Sequence, residues 1–312
     1  MADAKFIQIT EVGTRDGFQA ESKFISTSEK IQTINALVAA GVPRIEYSSF
    51  VSPRAIPQLA DAAEVLKGLN HQTGAEFVAL IANAKGARRA ADAGVKDLVV
   101  VVSASESHNK KNVNRSVSES LVGFEEVAMI ADDAGITVHG AIATGLGCPF
   151  EGDVPLSQIG LIAERFQALG FSGVGLGDTT GMATPVLVRD TCRFLQDKVP
   201  DMPISLHFHN TRGIGLCNVM AGLDEGVTRF ESSIGGLGGC PFAPGATGNI
   251  CTEDLVYLLH EMGYETGIDL DALCDVAHGV EQTVGHALPG QVMRAGPRDR
   301  LHALGDAQTA HG

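Results

Sequence analysis

The chain switches between two hydrophobic rhythms and repeats the switch eight times. Residues 6–12, 44–50, 76–82, 97–103, 137–143, 172–177, 204–209 and 229–234 are short apolar or β-branched runs of strand length. Between them lie helical patterns near 57–69, 84–93, 117–134, 155–169, 184–198, 214–225 and 252–262. Ser26, with Glu29 three residues on, has capping-box spacing and opens a further helix that runs to about Ala40. Gly41, Gly94, Gly170 and Gly226 follow helical patterns where a left-handed residue is needed to end them. Alternating strands and helices imply a parallel sheet. Eight units in about 260 residues match a closed (β/α)8 TIM barrel better than an open doubly wound sheet. A further helix is expected over 264–285. Residues 1–285 then read as one barrel with an added C-terminal helix, and 286–312 as a flexible tail.

In such a barrel the chemistry sits where strands end and loops begin. Strand seven ends in Leu206-His207-Phe208-His209-Asn210. Side chains alternate along a strand, so His207 and His209 share a face about 7 Å apart and can share one metal ion. Strand one ends in Arg15-Asp16, strand two carries Glu46, and strand six ends in Asp178. A glycine-rich loop after strand eight, from Gly235, holds Cys240 and Asn249 and can approach a ligand closely or move as a lid. Asp16, His207, His209 and Asn249 can supply a mixed nitrogen and oxygen set for Mg²⁺, Mn²⁺ or another six-coordinate divalent ion, with two positions left for substrate oxygens. Each residue also has an ordinary reading. Asp16 or Asp178 can cap a helix, Asn249 can serve a turn, Cys240 can pack as a small core residue, and one histidine can be buried while the other is solvated. The joint placement at separate strand ends favours a site.

Composition narrows the partners. A net charge of −14 argues against nucleic acid. No apolar run reaches the roughly 18 residues of a membrane span. The six cysteines form no CxxC pair and, without a secretory pattern, read as thiols of a cytoplasmic protein.

Several stretches resemble one family. Val12-Gly13-Thr14-Arg15-Asp16-Gly17-Phe18-Gln19 resembles the Arg-Asp-Gly signature of the metal-dependent lyases and condensing enzymes built on this barrel. Ser233-Ile234-Gly235-Gly236-Leu237-Gly238-Gly239-Cys240-Pro241-Phe242 is similar to the active-site loop of the 3-hydroxy-3-methylglutaryl-CoA (HMG-CoA) lyase family. Ser49 to Pro53, Gly145 to Gly152 and Leu176 to Gly181 agree with it, and the likeness runs from about 6 to 285. The resemblance implies retro-Claisen cleavage of a 3-hydroxyacyl-CoA to acetyl-CoA and a keto acid. It makes Asp16, His207, His209 and Asn249 the metal ligands. It places Arg15 at the enolate oxygen, Glu46 and Asp178 in orienting or proton-relay roles, and Cys240 in acid/base work on the lid. Lys111 and Asn112, after strand four, resemble the stretch near the CoA nucleotide. Barrels of this kind are expected to self-associate.

The chain departs from that family's pattern at four positions. His139 stands where an arginine is expected, Ala141 for an aromatic, Gly175 for a serine and Ser22 for a lysine. The changes remove charge and volume near the expected acyl pocket, so a bulkier 3-hydroxyacyl-CoA is one alternative substrate. Asn210 resembles the condensing relatives of the isopropylmalate and homocitrate synthase type, which is the other alternative. Those usually carry an extra C-terminal regulatory region that this sequence does not show.

Overall fold

The computed structural model, which describes residues 5–239 and 248–301, closes eight parallel strands into a barrel in sequence order. The strands are β1 (Gln8–Glu11), β2 (Arg44–Ser49), β3 (Glu76–Ile81), β4 (Asp97–Ser103), β5 (Thr137–Ala143), β6 (Val174–Asp178), β7 (Ile204–Phe208) and β8 (Arg229–Ser232). Closure comes from β1, which pairs with β2 on one edge and β8 on the other, Thr10 opposite Arg44 and Gln8 opposite Arg229. The expected TIM barrel is therefore present.

Strand periodicity divides the residues between two environments. Ile9, Ile45, Leu98, Ile142, Leu176, Leu206 and Phe230 face the helices and are fully buried. Each such side chain contributes about 1.5–3 kcal/mol when removed from water. The helical layer is set by local signals. Ser26 and Ser116 each complete a capping box, with Glu29 and Glu119 reaching back to the cap residue. Gly94, Gly135 and Gly285 end their helices in the left-handed conformation.

The helices expected over 84–93 and 117–134 are found at Ala84–Ala93 and Val117–Ala134. The expectation over 264–285 is met by Leu270–Val284, capped by the Asp269 carboxylate. A helix not foreseen, Glu106–Val113, follows β4 and starts at the Ser105 hydroxyl, which accepts from the His108 N–H at 3.1 Å. Its polar sequence shows no apolar stripe. Past residue 286, Val292–Ala295 forms a short helix with Val292 and Met293 buried.

The inner side of the barrel is unusual. Barrels of this type normally fill their interior with branched apolar side chains. Here Thr10, Val99, His139, Ala141, Gly175, Ser205, His207, Arg229 and Glu231 point inward and are only half-buried. They surround a hollow of about 310 Å³ below the C-terminal ends of the strands.

Candidate active site

The loop after β1 brings the first two groups in. Gly13–Gly17 winds as one wide turn, a geometry common at functional sites. It lays Arg15 across the barrel mouth, where Nε donates to Glu46 Oε1 and Nη1 donates to Asp16 Oδ1 at 2.5 Å. Glu46 sits beside a bulge, where the pairing of β2 with β3 shifts between Glu46 and Ser48. Such bulges re-aim side chains.

β7 supplies the histidines as its periodicity requires. The two rings lie 5.2 Å apart between centroids. One donor atom from each of Asp16, His207 and His209 lies within 4.8 Å of the others, close enough to hold one ion. His207 Nδ1 lies 2.9 Å from Glu231 Oε2. A carboxylate on the far nitrogen fixes the ring's orientation and leaves Nε2 for a ligand. The sequence reading missed Glu231. Its signal was an acidic residue set two positions after Arg229 on one face of a short strand.

Asn249 joins from the opposite side. His209 and Asn249 form an antiparallel bridge, and the Ile250 N–H donates to Phe208 O at 3.0 Å, so the return of the loop is pinned to β7. Its Nδ2 donates to Asp16 Oδ2 at 2.8 Å and to Leu237 O at 3.0 Å. Its Oδ1 is buried with no hydrogen bond. A buried acceptor without a donor is costly unless something electropositive meets it. Asn249 thus stands against Asp16 with an unused acceptor, and Asp16, His207 and His209 are the group that could hold a divalent ion. Gly238 allows the close approach. Its φ is +119°, and a Cβ there would lie 2.5 Å from Asn249 Nδ2 and 3.2 Å from Asp16 Oδ2.

Electrostatics agree with the geometry. Burial alone would raise Asp16, but Arg15, His207, His209 and the Asn249 amide outweigh it and hold its pKa at about 2. It is therefore an anion at neutral pH. Burial opposes the charge on His207, and Glu231 more than offsets that and raises its pKa. Asp178 differs. Burial raises it to about 6, against the N–H groups of Met182 and Ala183, which donate to Oδ1 at 2.7 and 2.9 Å. Its Oδ2 is buried and unbonded.

Two buried glutamates hold this face together. Glu11 Oε1 accepts from Gly13 N–H at 2.7 Å and Ile234 N–H at 2.8 Å, and Oε2 accepts from the Thr252 hydroxyl at 2.5 Å. It thereby ties the loop carrying Arg15 and Asp16 to the loop after β8. Glu253 accepts from Gly235 N–H at 2.9 and 3.1 Å and from the Cys251 thiol at 3.1 Å. Neither was singled out from sequence, because a glutamate that serves backbone N–H groups leaves no spacing pattern.

The structure thus gathers Arg15, Asp16, Glu46, His207, His209 and Asn249 at one end of the barrel, with Asp178 at the end of the neighbouring β6. Lys111 and Asn112 lie apart on the Glu106–Val113 helix, exposed, with Lys111 Nζ 4.7 Å from the centre of the Phe150 ring. Cys240 lies outside the described residues.

Comparison with known proteins gives a consistent picture. The HMGL-like family model matches residues 6–280. A hydroxymethylglutaryl-CoA lyase of Bacillus subtilis is 42% identical, over 92% of this chain and 96% of its own length. A 3-hydroxy-3-isohexenylglutaryl-CoA/hydroxymethylglutaryl-CoA lyase of Pseudomonas aeruginosa is 40% identical, over 93% of this chain and 97% of its own. An HMG-CoA lyase of A. baumannii, solved with coenzyme A and 3-methylmalate, superposes with a TM-score of 0.93 at 43% identity, covering 97% of this chain and 99% of that one.

Proposed function

The chain belongs to the HMGL-like family, and from that premise we propose that it is a metal-dependent lyase cleaving HMG-CoA, or a close 3-hydroxyacyl-CoA, to acetyl-CoA and a keto acid. The observation that carries the proposal is the convergence of Asp16, His207 and His209, with Asn249 hydrogen-bonded to Asp16 and its Oδ1 left without a partner. These four residues would hold Mg²⁺ or Mn²⁺. When bound, a divalent ion polarises the substrate hydroxyl and a neighbouring oxygen and lowers the hydroxyl pKa.

The residues divide the remaining work. The C3 hydroxyl loses its proton, the C2–C3 bond breaks, and its electron pair passes to the thioester as an enolate. C3 becomes the ketone carbon. Arg15 faces this step with its guanidinium fixed by Glu46 and Asp16, so its charge needs no reorganisation as the enolate oxygen forms. Asp178 is suited to hold the hydroxyl proton at Oδ2, because a pKa of about 6 lies near working pH. Glu231 keeps His207 in the ligating orientation. The enolate carbon must then take a proton, the role proposed for Cys240. The CoA moiety would lie across the barrel mouth toward Lys111 and Asn112.

Direction and products are tested together. Incubation with HMG-CoA and Mn²⁺ should yield acetyl-CoA and acetoacetate in equal amounts. Acetyl-CoA supplied with 2-oxo acids should release no free CoA. Release of CoA only in the second mixture would make the protein a condensing enzyme.

A further inference from the structure

The hollow inside the barrel begins where the metal-binding groups end. Its upper wall is Glu46 and Glu231, the two carboxylates that hold Arg15 and His207. From there it descends past Thr10, Ala141, Gly175 and Ser205 toward the first residues of the strands. Its volume of about 310 Å³ is many times the roughly 30 Å³ share of one liquid water. Gly175 keeps it open, since a Cβ there would already lie 3.2 Å from Ser205 Oγ and 3.5 Å from Ala141 Cβ.

The lining has a definite chemistry. Most of its charges already have partners. Arg15 meets Glu46, His207 meets Glu231, Arg44 meets Glu76 and, at 3.5 Å, Asp97, and His139 meets the same Asp97 at 3.4 Å. Arg229, the first residue of β8, makes no such pair among the described residues. Its Nη1 lies 4.0 Å from the point a Cβ of Gly173 would occupy, and His139 Nδ1 lies 3.5 Å from that same point. His139 is already engaged there, its Nε2 3.4 Å from Asp97 Oδ1 and its Nδ1 3.0 Å from Ser172 Oγ, and Pro203 O lies 3.1 Å from the same point, so Arg229 is the lining cation without a carboxylate partner among the described residues. In register, Arg229 lies opposite Ser205, one inward layer below the His207 and Glu231 pair. Two residues of strand make that step about 6.6 Å. A C3 methyl group held at the metal site is too short to cover it.

We propose that this hollow is an acyl subsite: it takes a C3 substituent longer than methyl that ends in a carboxylate, received by Arg229. The inference rests on the lyase reading of the site and specifies its substrate class. A hydrocarbon branch of equal length suits the hollow poorly. It would strip water from Thr10, Ser205 and Arg229 and return no hydrogen bond. A carboxylate instead matches the forked donors of an arginine.

The experiment compares three substrates with Mn²⁺ present. They are HMG-CoA, an analogue whose C3 methyl is replaced by a five-carbon chain ending in carboxylate, and one with an alkyl chain of the same length. The carboxylate-ended analogue should exceed the alkyl analogue by about tenfold or more in kcat/KM. Ala141→Leu should lower kcat/KM for the carboxylate-ended analogue about tenfold and leave HMG-CoA within a few-fold. Ser205→Val narrows the same hollow from β7 and serves if the first variant folds poorly, judged by its Tm. Arg229→Met should abolish the preference for the charged chain and spare HMG-CoA. Equal turnover of the two long analogues, or equal loss for all substrates in both narrowed variants, would overturn the subsite. Failure of the wild-type protein to cleave any of the three would instead overturn the lyase reading.

Discussion

At the scale of single residues, the site depends on what stands behind the ligands as much as on the ligands. His207 and His209 were legible because a period of two places them on one face. Asp16 was legible because it stands where a strand ends. Glu231 was not, because its role appears only when β8 is laid beside β7, His207 in register with Glu231. Glu231→Gln keeps the size of the side chain and removes the charge that favours His207. It should weaken metal binding or activity about 10–100-fold, measured by Mn²⁺ titration and by kcat at saturating metal. An unchanged Mn²⁺ affinity and kcat would show that the ring needs no such partner. Asn249→Ala removes the unbonded Oδ1 and should also weaken Mn²⁺ binding, while Asn249→Asp should retain it.

At the scale of elements, strand and helix positions were largely readable from capping residues, glycines and apolar runs. β4 and β5 coincide with the expected runs, and β4 is a continuous apolar run from Leu98 to Val102. The linkage between loops was not readable, since it rests on Glu11 and Glu253 reaching backbone N–H groups far along the chain. Burial raises both carboxyls from 4.5 to about 7, against the hydrogen bonds that favour their charged forms. The folded protein therefore holds protons that the unfolded chain has released. Stability should fall as pH rises from about 4.5 through 7, by up to about 1.4 kcal/mol per pH unit for each group. Glu11→Gln can keep the Gly13 and Ile234 bonds without the charge. Its denaturation midpoint should vary less between pH 5 and pH 8 than that of the wild type. A parallel pH dependence in the two proteins would count against this role. Gly238→Ala tests the loop contact: a Cβ at φ +119° and 2.5 Å from Asn249 Nδ2 should displace that amide. Activity should fall at least tenfold, consistent with the cost of misplacing groups by about 1 Å, with a smaller change in Tm.

At the scale of the whole molecule, a closed parallel barrel gathers residues from widely separated parts of the chain, 233 positions apart for Asp16 and Asn249, at one end. That gathering makes seven weak sequence signals into one site. The eightfold rhythm made the fold legible. The hollow interior was only partly so. Gly175 was visible as a departure from the family's pattern, but the depth it opens depends on Thr10, Ala141 and Ser205 from other strands. The most direct test of the central claim is acetyl-CoA release from HMG-CoA by chelator-stripped protein, before and after Mn²⁺ is restored. Release should be absent without the ion, should recover when it returns, and should not recover in His207→Ala. Release that is indifferent to the chelator, or absent with Mn²⁺ bound, would contradict that claim.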